Sequence, residues 1–509
     1  MKFSDLLFGV EVRSVQGEAD CYGIQYDSRK VQTGDCFVAM KGETTDGNAY
    51  IDSALGHGAF AVVTDSDAEP PREGVGWAVV SHGRRALAVM SGNLLRHPAR
   101  KLKLIGVTGT NGKTTTAFLV EAMLAEAQRK TGLVGTIEYR LAGEAVPAPH
   151  TTPESLDLNR FLADGVKRGV SDVVMEVSSH ALQQERVYGF HYDVAIFTNL
   201  TRDHLDYHKT MGEYFAAKQL LFKGCGVEPP RVAVLNKEDE YGRELIDISK
   251  KLSPELRTYG LRDGHFHTED LKMGPEGSRF MLVTPEGKID IFTPLLGKVN
   301  VYNILAASAA AMARGVTLAQ VAEAVRKLAH VPGRFQRVNA GQPFTVVVDY
   351  AHTDDALRNL TALAREFVRS AGGNGRVITV FGCGGDRDRT KRPLMGQAAG
   401  DGSDFVVLTS DNPRTENPLG IIHDAVRGLR TAKAEFTTEP DRKRAIGLAI
   451  RLAKPGDIVL IAGKGHERVQ VIGETSLPFS DVEVATAAIR AQGYGEDFMQ
   501  ALESSRSAH

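Results

Sequence analysis

The residues with the clearest chemistry are Gly109, Thr110, Asn111, Gly112, Lys113, Thr114 and Thr115, in the run Leu104-Ile-Gly-Val-Thr-Gly109-Thr-Asn-Gly-Lys-Thr114-Thr-Thr. Glycines let a backbone close around an anion. The lysine offers a cation to outer phosphates, and the threonine hydroxyl can serve Mg²⁺. The strict pattern G-x-x-x-x-G-K-[ST] would need glycine at 107, where Val107 stands. The match is to a shorter form, Gly109-x-x-Gly112-Lys113-Thr114. Its surroundings support nucleotide binding: an apolar run of strand length precedes it, and Phe118, Leu119, Ala122 and Met123 follow at helical spacing. A helix starting there would turn its N–H groups and positive dipole end towards the phosphates.

Other candidates sit where apolar runs end. Asp172-Val-Val-Met-Glu-Val177 leads into Glu176-Val-Ser178-Ser179-His180, and Asp193-Val-Ala-Ile-Phe-Thr-Asn199 leads into Thr201-Arg-Asp203-His204. In open parallel sheets, ligands bind at the carboxyl ends of strands. Glu176, His204 and the phosphate loop are therefore expected to share one crevice, where a carboxylate and an imidazole could partner Mg²⁺ beside a triphosphate. Taken singly, Glu176 equally fits a satisfied polar strand end, and His204 a capping or packing histidine. His204 and His208 do not form an H-E-x-x-H zinc motif, because Leu205 occupies the glutamate position.

Later runs repeat the arrangement. Phe344–Asp349 is followed by Tyr350-Ala-His352, and Arg376–Phe381 by a glycine-rich turn and the cationic stretch Arg387–Arg392. Asp404–Thr409 leads to Asp411-Asn412-Pro413-Arg414, and Asp457–Ala462 to Gly463-Lys464-Gly465-His466-Glu467. A second binding crevice is expected there. Gly382-x-Gly384-Gly385 lacks the G-x-G-x-x-G spacing of a dinucleotide fold. Near the start, Tyr26-Asp27-Ser28-Arg29-Lys30 and Lys41–Gly47 read as surface turns, or as an anionic-ligand site with Ser28 and Arg29 as donors.

The elements that must position these residues alternate strand and helix, which predicts an α/β protein. With 509 residues, about three domains are expected: 1–100, 101–333 and 334–509, with Arg96–Arg100 as a linker. Composition is that of a folded protein, 42% hydrophobic and 24% charged. A formal charge of −2 gives no general basic footprint for nucleic acid. Cys21, Cys36, Cys225 and Cys383 contain no C-x-x-C pair, which fits reduced thiols rather than a disulfide or zinc framework. No apolar run approaches membrane-spanning length, and the apolar part of the N-terminus is too short for a signal peptide. A soluble, cytoplasmic monomer is the expectation.

Taken together, Gly109–Thr115, Glu176–His180, Asn199–Asp206, Tyr302-Asn303, Gly333-Arg334, Asp349–His352 and Gly463–Glu467 resemble the Mur ligase family of ATP-dependent amide-forming enzymes. Asp27-Ser28-Arg29 and Asp411-Asn412-Pro413-Arg414 are similar to motifs of its diaminopimelate-adding branch. The resemblance implies three domains: a central phosphate-loop domain with a parallel sheet, a small N-terminal α/β domain and a Rossmann-like C-terminal α/β domain. It implies ATP and Mg²⁺ as cofactors, and a UDP-N-acetylmuramoyl dipeptide and meso-diaminopimelate as substrates.

By the same resemblance, Lys113, Glu176, His204 and Lys218 are catalytic. Thr114, Glu176, His204 and a carbamylated Lys218 hold the metal. Asn303, Arg334, Asp349 and His352 complete the ATP site. Tyr26, Ser28, Glu43, Thr44, Thr45, His150, Thr151, Thr152, Ser178, Gln184 and Arg186 hold the UDP substrate. Arg387, Asp411, Asn412, Pro413, Arg414, Gly463 and Glu467 hold diaminopimelate. By itself Lys218 reads as a surface helix lysine. Thr353-Asp354 after His352, and Phe335-Gln336 after Arg334, depart from the family's usual residues. A lysine-adding ligase, a folylpolyglutamate-synthase-like ligase and a nucleotide-binding regulatory module are the competing readings.

Overall fold

A computed structural model describes residues 1–42, 45–70, 73–274, 276–370 and 372–494. Its centre is an eight-stranded sheet in the order Glu255–Tyr259, Val232–Asn236, Val194–Phe197, Lys103–Thr108, Asp172–Glu176, Thr131–Val134, Glu138–Leu141 and Glu144–Pro147. The first six strands are parallel and the last two antiparallel. Lys103–Thr108 runs between the strands that end at Glu176 and Phe197. Their outgoing loops consequently flank its own.

The helix Lys113–Glu126 follows the phosphate loop. Its residues from Thr114 to Glu121 are all buried, which explains why its sequence is apolar around the whole circumference rather than along one stripe. The helix Lys298–Ala313 and a three-stranded antiparallel sheet, His267–Gly274, Gly277–Thr284 and Gly287–Thr293, complete this core.

The N-terminal sheet has the order Val12–Gln16, Gly76–Val80, Ala61–Thr64, Asp35–Ala39 and Gly23–Gln25, antiparallel only at its first pair. It leans on the central unit through the helix Ser155–Lys167, whose Leu156 packs with Phe3, Ile24, Leu87 and Met90. Arg84 pairs with Glu154 at 2.6 Å, and Tyr26 donates to Asp157 at 2.6 Å.

The C-terminal sheet has the order Gln336–Val338, Thr345–Asp349, Ile458–Ala462, Val377–Cys383, Phe405–Ser410 and Glu435–Thr438. Only its first pair is antiparallel. The loops after Asp349, Ala462, Cys383 and Ser410 thus open on one edge. Among the described residues no helix is long and apolar enough to cross a membrane.

Two of those strand ends are tied together by Arg442. Its guanidinium donates to Ala462 O at 3.0 Å and Ser410 O at 3.4 Å, and pairs with Asp481 at 2.7 Å, both side chains being fully buried. Removing one partner of such a pair strands the other charge in a low-dielectric interior. Arg442→Met is expected to destabilise the C-terminal unit by about 3–5 kcal/mol. The double variant Arg442→Met, Asp481→Leu should recover most of that loss, and calorimetry of wild type and both variants checks it.

Candidate nucleotide and amine sites

The phosphate loop is built as a cradle. Gly109 and Gly112 have φ of 146° and 86°, values that L side chains rarely adopt. A Cβ at Gly112 would lie 2.4 Å from Asn303 Oδ1. Lys113 Nζ donates to Gly109 O at 3.0 Å and Thr110 O at 2.8 Å. Asn111 N donates to Asn199 Oδ1 at 3.0 Å, fixing the loop to the next strand's end. Thr115 is buried in the first helical turn.

Glu176 is fully buried and well paired. Its carboxylate accepts from Thr114 Oγ1 at 3.0 Å, Thr136 N at 2.8 Å and Thr136 Oγ1 at 3.0 Å. Arg334, at the start of the C-terminal unit, reaches back to donate to Thr114 Oγ1 at 3.1 Å. The structure therefore brings together Thr114, Glu176 and Arg334, residues up to 220 positions apart, around one helix N-terminus.

Two lysines are buried beside the same loop. Burial lowers the pKa of Lys113 from its ordinary value, opposed by Glu176 and Asp203. Lys218 is no surface lysine: it is 1% exposed, donates to Gly109 O at 2.8 Å and lies over the Tyr214 ring. Burial, and then the charge of Lys113, push its amine well below the usual lysine range.

His204 adopts φ of 54°, and its Nε2 stands 3.4 Å from Asp203 Oδ2. Burial drives its pKa down, with Asp203 opposing. Burial would raise Asp203, but His204, His352 and Lys391 hold it below the ordinary carboxylate value. Among the described residues no three His, Cys, Asp or Glu side chains converge as a metal-binding group. A site here would draw on the Thr114 hydroxyl, Glu176 and His204, with phosphate oxygens and water completing the shell, as Mg²⁺ accepts.

From the C-terminal side, Asp349 accepts from Phe335 N at 2.6 Å and Ala351 N at 2.8 Å. It shapes the turn that carries Arg334. His352 Nδ1 lies 2.8 Å from Tyr350 O, and the Arg334 guanidinium stacks over Tyr350. Thr353 accepts from Ala356 N at 3.1 Å and caps the following helix, while Asp354, the departing residue, pairs with Arg358 at 2.8 Å within it.

The UDP-substrate candidates fall into two groups. Thr152 accepts from Ser178 N at 3.1 Å and donates to Glu176 O at 2.8 Å, while Thr151 shares a 3.1 Å bond with Thr136. Arg186 donates to Thr152 O at 2.9 Å and Gln184 Oε1 at 2.6 Å. Ser178 caps the helix Ser179–Gln183, accepting from Ala181 N, which is a positioning duty. His150 is exposed beside this group, its carbonyl accepting from Tyr139. Tyr26 and the buried Ser28 lie in the N-terminal unit, with Thr45 exposed there. Glu43 and Thr44 lie outside the described residues.

The second crevice centres on Lys464, which is fully buried and donates to Asn412 Oδ1 at 2.9 Å and Glu467 Oε2 at 2.8 Å. Asn412 Nδ2 also donates to Glu467, at 2.9 Å. Gly463, at φ of 118°, brings its backbone against Asp411. Pro413 and Arg414 continue the turn, Arg414 at φ of 52° donating to Gly385 O at 2.7 Å. Burial and the nearby Arg387 lower the pKa of Arg414, so an arriving anion would relieve both.

Lys464, Thr136, Asp203 and Asp355 were not singled out from sequence. Asp355 accepts from Asn111 Nδ2 at 3.0 Å, across the two units. Lys464 and Asp203 at least sit inside recognisable motifs. Thr136 carries no such signal, because only the strand order places it beside Glu176.

A phosphate cradle reached by side chains of the C-terminal unit, with a second crevice at that unit's own strand ends, is the architecture of a nucleotide-binding α/β enzyme. Three family models match the chain: Mur ligase family, catalytic domain, over 20–93; Mur ligase middle domain over 107–311; and Mur ligase, glutamate ligase domain, over 333–465. A protein of Solibacter usitatus named UDP-N-acetylmuramoyl-L-alanyl-D-glutamate–2,6-diaminopimelate ligase is 49% identical over 94% of this chain and 95% of its own. The solved structure of a ligase of that name superimposes with a TM-score of 0.65 at 37% identity, covering 93% of this chain and 96% of that one. The MurF ligase of Thermotoga maritima, solved with ADP, shares the fold at 18% identity and a TM-score of 0.63, over 92% and 97%. The chain belongs to the Mur ligase family, and is a carbon–nitrogen ligase.

Gly112→Ala would force both a left-handed φ and a collision with Asn303. Strain of this kind costs about 1–3 kcal/mol. Affinity for a non-hydrolysable ATP analogue is expected to fall about tenfold or more, as titration calorimetry would read, with the fold retained.

Proposed function

We propose that this ligase uses ATP to join meso-diaminopimelate to the D-glutamate γ-carboxylate of UDP-N-acetylmuramoyl-L-alanyl-D-glutamate, a cytoplasmic step of peptidoglycan precursor synthesis. The observation that carries the reading is the Asn412–Lys464–Glu467 cluster with Arg414 beside it, set on a chain 49% identical to a relative of that name. The N-terminal unit and residues 150–186 would hold the UDP end. The central unit would hold ATP, and the C-terminal unit the incoming amino acid, with divisions near residues 100 and 333.

The γ-carboxylate oxygen attacks the γ-phosphorus of ATP, the bond to the β-phosphate oxygen breaks, and ADP leaves. The amine then attacks the acyl carbon, loses a proton, and phosphate departs from the tetrahedral intermediate. Bringing two anions together needs fixed positive charge more than covalent help. Lys113, Arg334 and the helix N-terminus supply it, with Asn303 and His352 bordering the nucleotide and Asp349 setting the turn that presents Arg334. Thr114, Glu176 and His204 would hold Mg²⁺, which when bound would neutralise phosphate charge.

An ammonium has no lone pair to give a metal. Depression of its pKa makes Lys218 a nucleophilic amine, able to add to the carbon of CO₂ and release a proton, and the resulting carbamate offers oxygens instead. Withdrawal of bicarbonate is then expected to slow ADP release, and its return to restore the rate. A rate indifferent to bicarbonate disposes of the modification.

Diaminopimelate differs from lysine by a distal carboxylate, which an arginine can meet with two parallel hydrogen bonds. Lysine would leave Arg414 unmatched in a closing site, favouring the diaminopimelate reading over the lysine-adding one. Phosphate release with ATP and the UDP-linked dipeptide should depend on meso-diaminopimelate and not on L-lysine. Arg414→Ala should raise KM for diaminopimelate about tenfold to a hundredfold with little change in ATP affinity. Equal loss of both, or release mainly with lysine, would overturn the specificity assignment.

A further inference from the structure

The turn between the strand Val377–Cys383 and the helix Lys391–Gly402 touches both crevices. On the amine side, Gly385 O accepts from Arg414 and Gly385 N donates to Asn412 O at 2.9 Å. Thr415 Oγ1 donates to Asp386 at 2.8 Å, and Glu416 accepts from Asp386 N at 2.6 Å and pairs with the buried Arg392 at 2.7 Å. Four residues further on, the turn meets the central unit. Arg202 donates to Thr390 Oγ1 at 2.9 Å and lies 3.9 Å from Asp388. Lys391 Nζ stands 4.0 Å from Asp203 Oδ1, with side-chain exposures of only 16% and 8%.

Lys391 occupies the first position of its helix, where the dipole disfavours a cation. Helix propensity and capping give no reason for it there. The electrostatic compensation comes from the other unit, as Asp203. Two charges this sheltered are screened far less than a surface pair. Asp203 in turn fixes His204: it accepts from His204 N at 2.9 Å and faces the imidazole Nε2 at 3.4 Å.

We infer that Lys391 is a positioning residue that transmits occupancy of the amine crevice to the nucleotide site, through the 384–392 turn and the Asp203–His204 pair. The inference rests on the diaminopimelate reading for the identity of the ligand. An amino acid bound at Arg414 orders the turn, the turn presents Lys391 to Asp203, and the two units are held in register around the phosphate loop. The Arg202–Thr390 bond shares the task. Coupling of this sort is reciprocal: each ligand must tighten the other by the same factor.

The test measures affinity for a non-hydrolysable ATP analogue, with Mg²⁺ and the UDP-linked dipeptide present, with and without meso-diaminopimelate. In the wild type, diaminopimelate is expected to tighten the analogue about fivefold or more. Lys391→Met should abolish that gain while melting within a degree or two of wild type, and Lys391→Arg should restore it. Arg202→Gln, at an exposed position, should lower it partially, so the inference survives poor folding of one variant. A wild type that releases ADP in a diaminopimelate-dependent way but shows no tightening overturns the coupling and leaves the ligase reading standing. So does a folded Lys391→Met that keeps the full gain. A wild type with no diaminopimelate-dependent ADP release overturns the ligase reading, and the coupling with it.

Discussion

The buried carboxylate of Glu176 is the constraint on which the rest depends. A carboxyl group buried away from solvent must be met by hydrogen-bond partners, because burying it unpaired is costly. Here three donors come from two places: the hydroxyl of Thr114 at the start of the phosphate-loop helix, and the amide and hydroxyl of Thr136 after the adjoining strand. Satisfying one carboxylate thereby fixes the mouth of the helix against two neighbouring strands. Arg334 then joins the C-terminal unit to the same threonine. A preorganised phosphate site at a unit boundary follows from completing one hydrogen-bond set.

Basic side chains gather near that carboxylate. Lys113 and Arg334 stand at the loop beside Lys218, against the carboxyl groups of Glu176, Asp203 and Asp355, and burial depresses both lysines. Such an arrangement is poor for stability in isolation and good for receiving a polyanion, since preformed charge needs no reorganisation when the ligand arrives. The second crevice has a different balance. Its buried Lys464 is already paired with Glu467 and Asn412, and the Arg414 guanidinium donates to a backbone carbonyl, that of Gly385. One crevice is poised for phosphates, the other for a ligand that carries both signs.

Parallel sheets explain why each crevice collects its loops on one edge. In both the central and C-terminal sheets the functional loops leave the carboxyl ends of strands, which parallel pairing gathers on one edge. The antiparallel pieces serve elsewhere. The three-stranded sheet of residues 267–293 covers the phosphate-loop helix, and the strand Val12–Gln16 edges the N-terminal sheet. The strands His267–Gly274 and Gly287–Thr293 keep most of their residues at least partly exposed and carry little apolar signal, and Val12–Gln16 and Glu144–Pro147 are exposed throughout. That is why they were not legible alongside the buried strands, whose runs such as Val232–Asn236 and Ile458–Ala462 stand out directly.

By itself the sequence determined the α/β class, the buried parallel strands, the phosphate loop and the family. Each of these is written in short-range signals: glycines at positive φ, apolar runs, and motifs a few residues long. It also set Gly463–Glu467 and Asp411–Arg414 apart as one crevice, since both follow strands. Tertiary structure alone decided that Lys218 is buried rather than a surface helix lysine, that Thr136 completes Glu176, and that Lys464 is the buried hub between Asn412 and Glu467 in the second crevice. It alone set Lys391 against Asp203. The physical reason is common to all four. Burial and partnership depend on which strands and units become neighbours, and that order comes from the packing of the whole chain, not from any window of it.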